Sequence, residues 1–184
     1  MAKLVEKVYG DALFQQSVQS GKTDELFQEV KDIKEVLEDN NQLVKLLNHP
    51  NISKEDKEKV VENIFKGRVS DDLTGFLLLV IRKDRQKYLF KILDYYIDKV
   101  KEYKKIGVAA VTTACEMNET QKKAIEDKLI STTEYESFEI EYIVDSGLIG
   151  GMIIRVGDKV IDSSLKNKIE KMSRELYKIR LERW

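Results

Sequence analysis

The stretch Ile143–Leu165, IVDSGLIGGMIIRVGDKVIDSSL, leaves the backbone fewer options than any other part of this chain. Gly147, Gly150 and Gly151 crowd one short loop, and a loop of that kind asks for φ > 0. Met152–Val156 is an apolar run of strand length. Gly157-Asp158 is a Gly-first pair suited to a two-residue type II′ turn, with Lys159–Ile161 as the return strand. Asp162 then stands where a helix N-cap belongs, because its carboxylate can accept from the free amides of a first turn. The expectation is a tight hairpin feeding a helix with no slack. That helix repeats Leu165, Ile169, Met172, Leu176 and Ile179 at steps of four and three, a heptad-like seam that calls for a surface to pack on. Arg180–Trp184 ends the chain on an aromatic.

Upstream the pattern is helical. Leu4, Val5, Val8, Tyr9, Ala12 and Leu13 give a first helix, ended by Gly21. Thr23 is placed to cap a second, with Asp24 and Glu25 in the turn that the dipole favours, and Leu26, Val30, Ile33 and Leu37 as its stripe. Leu43–Leu47 predicts a short third helix closed by Asn48-His49-Pro50, since the residue before Pro is turned away from helix. Ser53-Lys54-Glu55-Asp56 resembles a capping box and opens a fourth, ended by Gly67. Ser70-Asp71-Asp72 opens a fifth, whose Phe76–Ile81 is apolar on all sides. Such a helix is either buried all round or covered by a partner on its free face. A sixth runs from Gln86 to Lys104. At Ile106-Gly107 the composition changes. Val108–Thr113 reads as a strand, Asn118–Gln121 as the cap of a helix reaching Ser131, and Phe138–Val144 as a half-buried strand by its alternation. The predicted fold is mostly α: an N-terminal six-helix bundle over residues 1–105, then a small α/β domain over residues 106–184 with the hairpin and final helix.

Composition narrows the function. Lys+Arg 32 against Asp+Glu 33 leaves a net charge of −1, whereas a nucleic-acid binder shows a basic excess or stripe. Gly147-Leu148-Ile149-Gly150 is literally the G-x-x-G of an RNA-binding KH loop, but it holds Leu and Ile and precedes a strand. Cys115 is the only cysteine, so no disulfide can close within the chain, and a buried structural thiol is the common case. His49, the only histidine, precedes Pro50 in a turn and is a poor candidate base. Paired Cys, His-x-x-x-His and the phosphate-binding loop are all missing from the sequence. No apolar run is long enough to cross a bilayer, and the N-terminus carries no signal-peptide core. The expectation is a soluble, intracellular, non-catalytic chain with no cofactor and no metal, in which the fifth and final helices either close their own cores or, if partly open, give a connector with one sticky apolar face per domain.

A resemblance says what would be joined. Gly150-Gly151, Arg155, Gly157-Asp158, Val160-Ile161, Asp162, Ser163, Ser164 and Leu165 together resemble the C-terminal signature of the rotary ATP synthase delta subunit family. Its mitochondrial branch is the oligomycin-sensitivity-conferring protein. The family most often has Gly where Ser163 stands and Arg where Lys166 and Lys168 stand, departures that bear on the local cap geometry. The order and spacing of the other parts match over nearly the whole chain. The resemblance implies a stator subunit, one copy per complex, held peripherally at the cytoplasmic face of a bacterial membrane through the complex. It implies an N-terminal domain docked on the catalytic head, with a groove between its first and fifth helices for the N-terminal helices of the alpha subunits. Matched residue by residue, that groove takes Tyr9, Ala12, Leu13, Gly75, Phe76, Leu79, Val80 and Arg85. It implies that the C-terminal domain binds the ends of the b subunits through Met152, Ile154, Leu165, Ile169, Met172 and Leu176. The rival from another class is a free-standing helical adaptor unrelated to energy coupling, and a weaker one is an RNA-binding protein.

Overall fold

The computed structural model describes the backbone of residues 2–181 and the side chains of residues 4–174. The chain forms two compact units, Met1–Lys101 and Glu102–Trp184. The first holds α1 (Ala2–Gln19), α2 (Thr23–Asp39), α3 (Asn41–Asn48), α4 (Lys54–Phe65), α5 (Asp71–Arg82), a 3-10 turn at Gln86–Tyr88, and most of α6 (Leu89–Tyr103). Its core gathers the predicted stripe of α2 with Leu13 of α1, Phe76, Leu77, Val80 and Ile81 of α5, and Ile92, Leu93, Tyr96 and Val100 of α6.

Two of the three predicted caps in this unit form. Ser53 Oγ accepts from Asp56 N at 3.1 Å, and Ser70 Oγ accepts from Leu73 N at 3.4 Å. Thr23 does not cap: it already lies inside α2, and Lys22 stands at the cap position without a side-chain bond. The Thr23 hydroxyl instead donates to Ser17 O at 3.2 Å, where it closes the loop behind α1.

The second unit is a four-stranded mixed sheet with α7 (Glu119–Thr132) and α8 (Leu165–Leu181). The strands are β1 (Ile106–Thr113), β2 (Ser137–Val144), β3 (Met152–Val156) and β4 (Lys159–Asp162), in the order β2-β1-β3-β4. β1 runs parallel to β2 through the α7 crossover and antiparallel to β3, and β3 pairs with β4 as a hairpin. Ile125 and Leu129 of α7 pack on Ala109, Val111 and Phe138. Asn118 and Gln121 make a reciprocal capping box on α7, at 2.8 and 3.1 Å. Asn118→Ala should therefore cost the unit about 1 kcal/mol, the usual worth of such a cap. Chemical denaturation of parent and variant checks it, and coincident curves would show that the box is idle.

The hairpin turns as expected, with Gly157 at φ +56 between Val156 and Lys159, which face each other. The glycine loop differs. Of its three glycines only Gly151 has positive φ, +80, while Ile149 takes φ +64. Gly150 packs closely instead: a Cβ there would lie 2.7 Å from Leu165 Cδ1, the tip of an exposed side chain that would have to turn aside. The helix start also differs. Asp162 closes β4, and Ser164 caps α8, its Oγ accepting from Asn167 N at 3.2 Å. Asp162 acts one step earlier, accepting from Ser164 N at 2.9 Å. The bonds from Ser164, side chain first and backbone second, hold the Asp162 carboxyl below its ordinary pKa. Cys115 is exposed, against the expectation of a buried thiol, because it lies just past the end of β1, beyond the cover of α7.

Candidate docking surfaces

The apolar residues of α1 come in adjacent pairs, Leu4-Val5, Val8-Tyr9 and Ala12-Leu13. Steps of four keep each member of a pair on its own line along the helix. The inner line, Val5, Tyr9 and Leu13, packs on the first core. The outer line, Leu4, Val8 and Ala12, faces solvent, with Leu4 67% and Val8 57% exposed. α1 is fixed in this rotation by its contact with α6. A Cβ on Gly10 would fall within the Tyr95 ring, Tyr95 OH donates to Asp11 Oδ1 at 3.0 Å, and Lys91 Nζ lies 3.7 Å from Glu6 Oε1.

α5 is fixed from its N-terminus. The Glu29 carboxylate on α2 accepts from both Ser70 N and Ser70 Oγ, at 3.0 and 2.6 Å. Leu73, Phe76, Leu77, Val80 and Ile81 are then buried, and Leu79 is left 45% exposed. Gly75 is exposed, with nothing within 4 Å of where a Cβ would stand. At the C-terminal end Arg85 is exposed, and its backbone N donates to Val80 O at 2.9 Å. The Asp84 carboxyl beside it is held below its ordinary pKa, chiefly by Gln86 Nε2 at 2.9 Å.

The predicted groove residues thus divide. Ala12, Gly75, Leu79 and Arg85 are open and Tyr9 is half-buried, but Leu13, Phe76 and Val80 belong to the core and cannot wall an open slot. The resemblance puts Leu13 in the groove, but Leu13 lies on the inner line of α1 and is buried. The doubled pairs signal two lines, and the outer one leaves Leu4 and Val8 open.

In the second unit the predicted set divides the same way. Met152 and Ile154 pair with Thr113 and Val111 and so share the sheet face under α7, half-buried against that core. Leu165, Ile169 and Met172 are exposed, at 58% for Ile169 and 62% for Met172. The side chain of Leu176 lies outside the described residues, as do Ile179 and Trp184. The base of α8 is pinned: Ser163 N donates to Met152 O and Leu165 N to Gly150 O, both at 2.9 Å. The opposite sheet face carries Val108, Ile143 and Val160, all exposed.

No chemistry gathers at either surface. Among the described residues no group of His, Cys, Asp and Glu is placed to hold a metal ion, and no helix is long and apolar enough to cross a membrane. His49 Nδ1 accepts from Asn51 N at 3.2 Å within its own turn. The G-x-x-G segment starts inside a 3-10 turn at Ser146–Leu148 and leads to β3 rather than joining two helices.

A family model described as the ATP synthase delta (OSCP) subunit matches residues 5–176. An ATP synthase subunit delta from Lachnoclostridium phytofermentans is 52% identical over 181 residues, covering 98% of this chain and 100% of that protein. One from Alkaliphilus oremlandii is 32% identical over 179 residues, covering 97% and 99%. A chain of the cryo-EM structure of the Toxoplasma gondii mitochondrial ATP synthase hexamer shares the fold, with a TM-score of 0.71 at 15% identity over 94% of this chain and 97% of that one. A free-standing adaptor unrelated to energy coupling is thereby excluded. The chain belongs to the ATP synthase delta (OSCP) subunit family and is a structural, non-catalytic stator subunit of that complex.

Proposed function

We propose that this subunit is the upper joint of the stator, with each unit holding one partner. The first unit, as a six-helix bundle, receives the N-terminal helices of the alpha subunits on the catalytic head. The second binds the C-terminal ends of the b subunits, whose other ends anchor in the membrane. One copy then sits peripherally on the cytoplasmic side and keeps the head from turning with the rotor. The observation that carries this reading is the pair of exposed apolar helix stripes, Leu4-Val8-Ala12 on α1 and Leu165-Ile169-Met172 on α8. Solvent-facing stripes at helical spacing are what helix-on-helix recognition requires, and they sit on separate compact units.

Ala12→Trp tests the head side. Ala12 is exposed, so Trp is accommodated by the free chain, while on a docking line it occupies the space of an incoming helix. Titration of a labelled alpha-subunit N-terminal peptide should show at least a tenfold loss of affinity, about 1.4 kcal/mol, with circular dichroism unchanged. Equal affinities at equal helicity would take Ala12 out of the site.

A further inference from the structure

Ile149 is a β-branched residue at φ +64 that is also 70% exposed. Exposure alone is ordinary in a loop, but the positive φ of a β-branched residue is not. β-Branched residues are genuine outliers at positive φ, where Gly and Asn sit easily, and an exposed side chain gains little from burial to offset the strain. The loop shows how it is held. Asp145 N donates to Thr113 O at 2.8 Å, and the Asp145 carboxylate accepts from Gly147 N at 2.9 Å. Leu148 is buried. On the other side Gly150 O accepts from Leu165 N at 2.9 Å. Ile149 is thus pushed outward between two pinned neighbours, at the base of α8.

The surface it joins is charged as well as apolar. α8 has six basic and two acidic residues over Leu165–Leu181. At about 100° per residue, Lys168 lies about 60° to one side of Leu165 and Lys166 about 100° to the other, so the seam is flanked by positive charge on both sides. Arg174 is answered within the helix by Glu170 at 3.7 Å. Lys166 and Lys168 make no ion pair among the described residues. A seam this narrow, with cations close beside it, matches a partner helix better than a lipid surface, which takes a wide apolar face.

We propose that Ile149 is an interface residue held under strain, and that with Leu165, Ile169 and Met172 it seats an amphipathic helix whose apolar line is flanked by acidic residues. This rests on the reading of the second unit as the stalk-binding one, and it adds the charge of the partner and a residue outside α8. The acidic flanks answer Lys166 and Lys168, and the partner's apolar line covers Ile149.

The test uses the full chain and the soluble portion of the b subunit from the same synthase. Ile149→Gly relieves the backbone, so its thermal midpoint should equal or exceed the parent's while affinity for the b portion falls at least fivefold. That divergence separates an interface residue from a merely structural one. Lys166→Glu with Lys168→Glu should lower affinity at least tenfold and flatten its decline between low and high salt. Parent-like binding by both variants overturns the proposal while leaving stalk binding in place. A parent that does not bind the b portion overturns both readings. Retention of the parent on vesicles containing phosphatidylglycerol, lost on charge reversal, with no effect of either variant on the b portion, assigns the basic face to lipid and also overturns it.

Discussion

Gly151→Ala should destabilise the second unit by about 2–5 kcal/mol and leave the first untouched. Two effects add. An L-residue in the left-handed region costs roughly 1–2 kcal/mol, and Gly151 sits at φ +80. A Cβ there would also lie 2.5 Å from Ser163 O and 3.0 Å from Ser164 Cα. Both are backbone atoms, so neither can swing aside as a side chain would. The junction of β4 and α8 must shift, which strains the bonds from Ser163 N to Met152 O and from Leu165 N to Gly150 O, each worth about 1 kcal/mol. Gly157→Ala is the control. Gly157 also has positive φ, but nothing lies within 4 Å of its added Cβ, so only the conformational cost of about 1–2 kcal/mol applies. Hydrogen exchange resolved by segment reads both. Protection in β3 and β4 should fall further for Gly151→Ala than for Gly157→Ala, with α2 and α6 unchanged in each. Equal losses from the two variants would show that the close approach of the loop to Ser163 does not hold in solution.

What the sequence made legible follows from the range of the forces involved. Helix periodicity and the alternation of β2 at Phe138 and Ile140 are written by the core that each element faces, while Tyr142 and Val144 continue the alternation into solvent. The caps at Ser53, Ser70 and Asn118 are equally local, since donor and acceptor sit three residues apart. Thr23 and Asp162 went differently because each had a competing acceptor or donor nearby: Ser17 O drew the Thr23 hydroxyl, and Ser164 N drew the Asp162 carboxylate. Cap residues choose among such bonds by fractions of a kilocalorie, which spacing alone does not rank. The glycine loop shows a second limit. Three glycines announced an unusual backbone, but which residue carried the positive φ depended on Leu148 being buried and on Gly150 meeting Leu165. Those are contacts across the fold, and they put Ile149 where a glycine was expected. At the docking surfaces the limit was direction. The resemblance puts Leu13, Phe76 and Val80 in the groove, but an apolar residue reads the same whether a core or a partner covers it.

Leu4→Asp with Val8→Asp should abolish measurable docking of the alpha-subunit helix while the first unit stays folded. In the free subunit both side chains are mostly in water, so the carboxylates keep their solvation. Exposed substitutions of this kind usually move stability by no more than about 0.5 kcal/mol, and an acid in the first turn of α1 suits the helix dipole. In the docked state the same two positions would lie under an apolar helix face. A carboxylate buried there without a partner costs several kcal/mol, so a loss of at least a hundredfold, about 2.7 kcal/mol, is expected. Leu13→Ala separates this from damage to the bundle. Leu13 is on the inner line of α1 and 2% exposed, so its truncation should cost about 2–5 kcal/mol of stability with little direct effect on docking at temperatures where the chain is folded. The two variants therefore move opposite observables. Isothermal titration with the alpha-subunit N-terminal peptide, paired with thermal unfolding of each variant, reads both. Parent-like affinity for the double aspartate variant would show that the outer line of α1 faces solvent in the complex too, and the alpha-subunit helix would then have to seat elsewhere on the first unit.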